Sequence, residues 1–326
     1  MELKMNKKRE TDKMEHHNKI YVAGHAGLVG SAIVRKLKKE GFHNIITRTH
    51  KELDLTNQQA VDEFFSNEKP EYVFLAAAKV GGIHANSTAP ADFIHINLAI
   101  ETNVIHSAFI NHVKKLEFIG SGCVYPREVP QPIKEEYLLT GPLEKTNEAY
   151  ALAKIAGLKM CEFYNRQYDT DFISVMPCNL YGPGDHYNSL SSHVMPALIK
   201  KFHEAKMKGK DNVSVWGTGT AMREFLHIDD IADACVFLMN NYSGNECVNI
   251  GCGEDLPIRE LADLISNIVG YKGNIIYDSS MPDGTPKKLL DSSKLFGMGW
   301  KPKISLEEGL KETYEDYIEN YGKYRS

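Results

Sequence analysis

The chain has 326 residues, with 38 Lys and Arg against 43 Asp and Glu, 42% hydrophobic residues and a mean hydropathy of −0.35. At roughly 150 residues per domain this is material for about two domains with sizeable cores, which excludes a disordered or fibrous chain. A net charge of −5 without a concentrated basic face argues against nucleic acid or anionic membranes as partners, and no apolar run approaches the roughly 20 residues of a membrane span. Residues 1–18 mix charges and lack the apolar stretch of a secretory signal; they read as a flexible extension outside the fold. Cys123, Cys161, Cys178, Cys235, Cys247 and Cys252 show no C-x-x-C pair and no zinc spacing, as expected of free thiols in a reducing cytoplasm, and no metal is predicted.

Residues 19–23 (KIYVA) form a first strand that runs into a glycine-rich turn, Gly24-His25-Ala26-Gly27-Leu28-Val29-Gly30. A helical pattern follows, with Leu28, Ile33, Val34 and Leu37 on one face. Strand, glycine turn and helix are the setting of a dinucleotide-binding turn. Glycines let the backbone approach a pyrophosphate, whose charge meets free N–H groups at the helix start. The spacing is G-x-x-G-x-x-G, and alone it fits an ordinary strand-to-helix turn equally well. Residues 44–47 read as a second strand, 57–66 as a helix, 72–76 as a third strand and 91–111 as a long helix. Residues 116–120 are a fourth strand, 150–168 a helix and 172–176 a further strand. This alternation predicts an α/β fold, a Rossmann-type doubly wound parallel sheet with helices on both faces. Ligands then gather beyond the carboxyl ends of the strands, at residues 24–30, 76–82, 121–125 and 177–181. The later half is less regular, with short strands at 213–216, 247–250 and 274–277 among helices at 258–269 and 306–320. No repeat or low-complexity linker separates the halves. A smaller, interleaved α/β domain (177–220 and 251–321) is therefore expected beside the nucleotide-binding domain (19–176 and 221–250).

Tyr150 and Lys154 stand at i and i+4, on one face of a predicted helix. An ammonium near a phenol favours the phenolate and lowers its pKa. Such a phenol exchanges a proton with a carbonyl or carbinol while a nicotinamide exchanges a hydride. With 16 tyrosines in the chain, roughly one such pair is expected by chance, so the spacing alone is equally that of a surface pair. Its place is more telling. The helix follows the fourth strand, and Ser121 ends that strand, where its hydroxyl reaches the same substrate oxygen.

The glycine turn, Ser121 and Tyr150/Lys154 resemble the extended short-chain dehydrogenase/reductase superfamily. Seven segments are similar to one family within it, the GDP-L-fucose synthases: LAAAKVGGI (75–83), GSGCVYP (120–126), NEAYALAKIAG (147–157), MPCNLYGPGD (176–185), SHVMPALI (192–199), VWGTGTAMREFLHIDD (215–230) and PDGTPKKLLD (282–291). The resemblance spans about residues 19–321, and AAAKVGG and SHVMPAL are its most specific parts. It implies a bifunctional enzyme, performing 3,5-epimerisation and NADPH-dependent 4-reduction of GDP-4-keto-6-deoxy-D-mannose to GDP-L-fucose. Ser121, Tyr150 and Lys154 would be the reductase set, with Cys123 and His193 the acid/base pair of epimerisation. The chemistry agrees: a 4-keto sugar has acidic protons at C3 and C5, and inversion needs a base on one face and a donor on the other. Thiols and imidazoles both cycle near neutral pH. The resemblance further implies NADP contacts from Gly24, His25, Ala26, Gly27, Leu28, Val29, Gly30, Arg48, His50, Lys51, Leu55, Ile119, Gly120, Lys154, Pro177, Cys178, Asn179, Leu180 and His193. Lys201 and Arg223 would face the diphosphate of a GDP-sugar, Asp283 its hydroxyls, and Trp216 would offer a flat apolar surface. The plainer readings are a core tryptophan, a solvated lysine, an arginine in a structural ion pair and a buried apolar cysteine. A cytoplasmic homodimer is the expected assembly.

Two positions depart from the family's pattern. Gly122 stands where a second hydroxyl is usual, leaving Ser121 more of the carbonyl contact, and Cys178 stands where threonine is usual. Another nucleotide-sugar 4-epimerase/4-reductase of the superfamily is the alternative; a 4,6-dehydratase would carry Asp-Glu where Gly122-Cys123 stands, and a plain 4-epimerase would not need Cys123 and His193. A catalytically silent nucleotide-binding regulator would have a broken Tyr150/Lys154 pair. After the second strand come Arg48, Thr49, His50 and Lys51 before the acid Glu52, a pattern suited to the NADP 2′-phosphate. Similar bacterial chains carry arginines at the positions of Ala26 and His50, and histidine gains charge only as pH falls. A modest preference for NADPH that tightens at lower pH is expected, with Arg48 or Lys51 supplying most of the attraction.

Overall fold

The computed structural model describes residues 13–187, 192–281 and 283–321. Strand and helix alternate through β1 (Ile20–Ala23), α1 (Leu28–Lys39), β2 (Ile45–Ile46), α2 (Gln58–Glu68), β3 (Tyr72–Leu75), α3 (Ile83–Thr88), α4 (Pro90–Ile110), β4 (Lys115–Ile119), α5 (Glu148–Tyr168) and β5 (Phe172–Pro177). Next come β6 (Asn179–Tyr181), α6 (Val194–Met207), β7 (Asn212–Trp216), β8 (Met222–Arg223), β9 (Phe225–His227), α7 (Ile228–Asn241) and β10 (Val248–Ile250). The chain ends with β11 (Leu256–Pro257), α8 (Ile258–Val269), β12 (Asn274–Asp278), β13 (Lys287–Lys288), α9 (Ser293–Gly297) and α10 (Leu306–Glu319).

Six strands form one parallel sheet in the order β10-β5-β4-β3-β1-β2, the expected doubly wound α/β architecture. Alternate side chains of β1 show why. Tyr21 and Ala23 enter a core with α2, α4 and α5, while Ile20 and Val22 enter another with α1 and α7. With both faces covered, β1, β3 and β4 are buried at every position. A third core gathers Leu198 and Phe202 of α6, Leu261 and Ile265 of α8, and Tyr314 and Tyr317 of α10. Leu295 and Trp300 return to the core of α1 and α7, where Trp300 Nε1 donates to Asp233 at 2.9 Å.

The N-terminal reading needs a correction. Residues 1–12 of the expected extension lie outside the described residues, but residues 13–18 are folded. Met14 is buried, its N–H donating to Asn240 Oδ1 of α7 at 2.8 Å, and Asn18 Nδ2 lies 3.0 Å from each Glu71 carboxylate oxygen. One methionine and one asparagine among charges form no period, so the pattern did not reveal the docking. Met14→Ala is expected to lower unfolding free energy by about 2 kcal/mol and Asn18→Ala by about 1 kcal/mol. Urea denaturation measures both, and unchanged stability in the two variants would return this segment to a loose tail.

Candidate active site

The carboxyl ends of β1, β3, β4 and β5 open on one cleft of about 1020 Å³. At its nucleotide end Gly24 has φ +83°, and a Cβ there would stand 2.7 Å from the Ala77 backbone. Gly30 lies behind the lining, where a Cβ would meet Gly24 O at 2.2 Å. Gly27 begins α1 without a side-chain cap and no acid follows in the first turn, so the helix start keeps its positive partial charge. His25 Nδ1 is buried in the turn without a partner among the described residues. Farther along, Arg48, Thr49, His50 and Leu55 line the cleft and Lys51 does not. Arg48 Nη2 donates to Glu68 Oε1 at 2.5 Å. Glu52, the first acid after β2, turns onto its own loop, accepting from Thr49 N–H at 2.7 Å and Oγ1 at 2.8 Å.

Ser121 starts the turn after β4, its Oγ accepting from Cys123 N–H at 3.3 Å. Tyr150 and Lys154 face the same cleft from α5. The expected lowering of the Tyr150 pKa is not what the structure shows. The phenol is pushed well above its usual range, first by burial and then by Cys123 and Glu101. Lys154 Nζ lies 6.0 Å from the Tyr150 ring centre and is engaged elsewhere, 3.1 Å from Glu101 Oε1 and 3.1 Å from Ile119 O. Sequence reasoning missed Glu101, although an acid at a buried phase of the apolar helix α4 was a signal.

Cys123 is buried, which pushes its thiol up, while Lys288, Ser121 and Lys154 pull it down. His193, the N-cap residue of α6, is open to the cleft, yet the walls around it and nearby His186 hold its imidazole below the usual range. Lys288 was also missed. A Cβ on Gly122 would stand 3.5 Å from Lys288 Cε, so the glycine leaves space beside this cation. Trp216 is 57% exposed, which excludes its core reading, and Lys201 Nζ lies 5.4 Å from its ring centre. Arg223 donates to carbonyls, Met222 O at 2.8 Å and Asp283 O at 3.4 Å, and forms no ion pair among the described residues. Both Asp283 oxygens accept from Thr218, at 2.7 and 2.9 Å, fastening its loop over Gly217. Buried Glu224 ties this wall to the sheet, accepting from Gly253 N–H at 2.8 Å and Leu290 N–H at 3.0 Å.

Residues 20–251 match the model of the NAD dependent epimerase/dehydratase family. A protein named "Putative GDP-L-fucose synthase 2" from Arabidopsis thaliana is 62% identical over 94% of this chain and 94% of its own. The chain belongs to the GDP-L-fucose synthase family. Among solved structures, the GDP-mannoheptose C4 reductase MlghC from Campylobacter jejuni, with NADP bound, is 46% identical at TM-score 0.86, covering 94% of this chain and 99% of its own. A GDP-L-fucose synthetase from Naegleria fowleri bound to NADP is 29% identical at TM-score 0.89, covering 97% and 98%.

Within this family member, the neutral thiol of Cys123 gives a direct test of the site's electrostatics. Alkylation by iodoacetamide needs the thiolate, so Cys123 should label several-fold more slowly at neutral pH than an unburied thiol. Lys288→Met removes a nearby cation, and the labelling curve should move to still higher pH. Mass spectrometry of the Cys123 peptide at stepped pH reads both effects, and rapid neutral labelling would contradict the assigned environment.

Proposed function

We propose that the chain is a GDP-L-fucose synthase, which epimerises GDP-4-keto-6-deoxy-D-mannose at C3 and C5 and reduces C4 with NADPH. The observation that carries this reading is the meeting of Ser121, Tyr150 and Lys154 with Cys123 and His193 in one cleft. The uncapped α1 start, the crowded glycine cradle and the unpartnered His25 Nδ1 fit a dinucleotide phosphate. Arg48 and His50 fit the further phosphate of NADP. When bound, NADPH supplies the hydride for C4.

The protein's own part is proton management. The 4-ketone acidifies C3–H and C5–H, and Ser121 and Tyr150 hydrogen-bond the enolate oxygen. Cys123 rests as a thiol with a proton to give, and His193 as a neutral imidazole able to accept one. In the reduction Tyr150 gives its proton to O4. Lys201, Arg223 and Lys288 offset the diphosphate, Trp216 contacts the nucleotide sugar, and Asp283 serves mainly by holding its loop. In this reading the core of α6, α8 and α10 belongs to the sugar-nucleotide domain. Six free cysteines support a cytoplasmic setting. A homodimer is supported by α4 and α5, which pack together and leave Ile110, Leu152, Phe163 and Tyr168 exposed. No helix among the described residues is long and apolar enough to cross a membrane.

Deuterium wash-in at C3 and C5 from heavy water, without NADPH, tests the epimerase half. Cys123→Ser and His193→Asn should each slow it roughly 100-fold or more. Absence of wash-in in the native protein would favour C4 reduction without epimerisation. Tyr150→Phe should cut NADPH oxidation by a similar factor while cofactor affinity stays near native, and full turnover would sink the reductase assignment. Arg48→Ala should lower the NADPH/NADH ratio of kcat/KM about tenfold, as loss of one charged phosphate contact costs about 1.4 kcal/mol or more. Lys51→Ala should leave that ratio unchanged, and the opposite ranking would reverse the roles of these residues.

A further inference from the structure

What holds Lys154 lies behind the cleft. Its Nζ is 3.1 Å from Glu101 Oε1, 3.1 Å from Ile119 O and 4.6 Å from the Phe118 ring centre. The Lys154 side chain is 2% exposed and that of Glu101 0%. Neither Glu101 oxygen accepts a hydrogen bond from another group among the described residues. Room for the carboxylate comes from Gly157, one turn beyond Lys154. A Cβ at that position would stand 2.7 Å from Glu101 Oε2 and 2.5 Å from Phe118 Cζ. Three elements, α4, β4 and α5, thus enclose the Glu101–Lys154 pair behind the reactive phenol; burial raises the Glu101 carboxyl above its usual range, and Lys154 at 3.1 Å pulls it back toward the charged form.

We propose that Glu101 is a positioning residue that keeps Tyr150 in its neutral, proton-donating form by holding Lys154 and balancing its charge. The reading rests on the 4-reduction assigned above, in which a phenolate has no proton for O4. The titratable groups that face Tyr150 are Cys123 from the turn after β4, Glu101 from α4 and Lys154 from its own helix, and Cys161 of α5 faces Glu101. An unopposed ammonium here favours the phenolate, whereas one neutralised by a carboxylate does so far less. Glu101 therefore acts on the phenol both directly, as a like charge to the phenolate, and through the cation it restrains.

The test is a tyrosinate absorbance titration of the NADP-bound protein, using Tyr150→Phe to isolate the signal of Tyr150. In Glu101→Gln the midpoint should fall by about one pH unit, a tenfold rise in phenolate fraction at fixed pH below it. Glu101→Asp, which keeps the charge, should lie nearer the native value. The alkaline limb of NADPH oxidation should move down in parallel. An unmoved midpoint in folded Glu101→Gln overturns the proposal, and so does a rate loss that is flat with pH. Should Glu101→Gln fail to fold, Glu101→Met removes the same charge in an apolar setting and is read in the same way. The absorbance midpoint needs no turnover. A shifted midpoint without NADPH oxidation on the 4-keto sugar supports the inference and removes only the reaction assigned above.

Discussion

A parallel sheet covered by helices on both faces offers solvent only its strand ends, and the chemistry of this protein follows from that constraint. The faces of β1, β3 and β4 are closed by apolar contacts with α1 and α7 on one side and α2, α4 and α5 on the other. Polar function is therefore confined to the loops leaving the carboxyl edge. The sheet register sets Ala23 beside Leu75 and Ile119 beside Val175, so the glycine turn, Ser121 and Pro177 leave from a common edge. Helix α5 then needs only to lie against β4 and β5 for its first turns to bring Tyr150 and Lys154 to the same place.

Burial at this edge also decides the charge states. The Cys123 thiol and the Tyr150 phenol are pushed up and the His193 imidazole down, each chiefly by loss of water. All three shifts favour uncharged groups. A cluster of neutral donors and acceptors can move protons with little solvent to rearrange, and the same burial lowers the neighbouring Lys288, Lys201 and Arg223 from their usual ranges. Lys288, Lys201 and Arg223 line the cleft, while Lys154 is met from behind by Glu101.

Much of this was legible from residue order. The period of Ile258, Leu261, Ala262, Ile265 and Val269 marks α8 at its observed limits. Helix α7 shows no comparable stripe, because residues around most of its circumference are buried. The pattern reading therefore did not place it, nor α3 or α6. Of the site residues named from the sequence, Gly30 and Lys51 stand outside the cleft lining. Gly30 serves the turn by letting Gly24 approach it, a role that glycine spacing does not distinguish from ligand contact. Glu101 and Lys288 were missed for a related reason: each acts across a distance of many residues, and only the folded chain sets them beside Lys154 and Gly122.

The way Trp300 and Glu224 are placed bears on how the enzyme opens. A lobe joined by slack connections swings as a rigid lid, but here the connections are fastened where they cross. Leu295 and Trp300 are sunk in the core of α1 and α7, and Glu224 grips the backbone of residues 253 and 290 from within. Bending the two halves apart would uncover an indole and strip a buried carboxylate of its donors. Access to the cleft then falls to local motions of the loops at its mouth, on the faster timescale of loops rather than that of hinged domains.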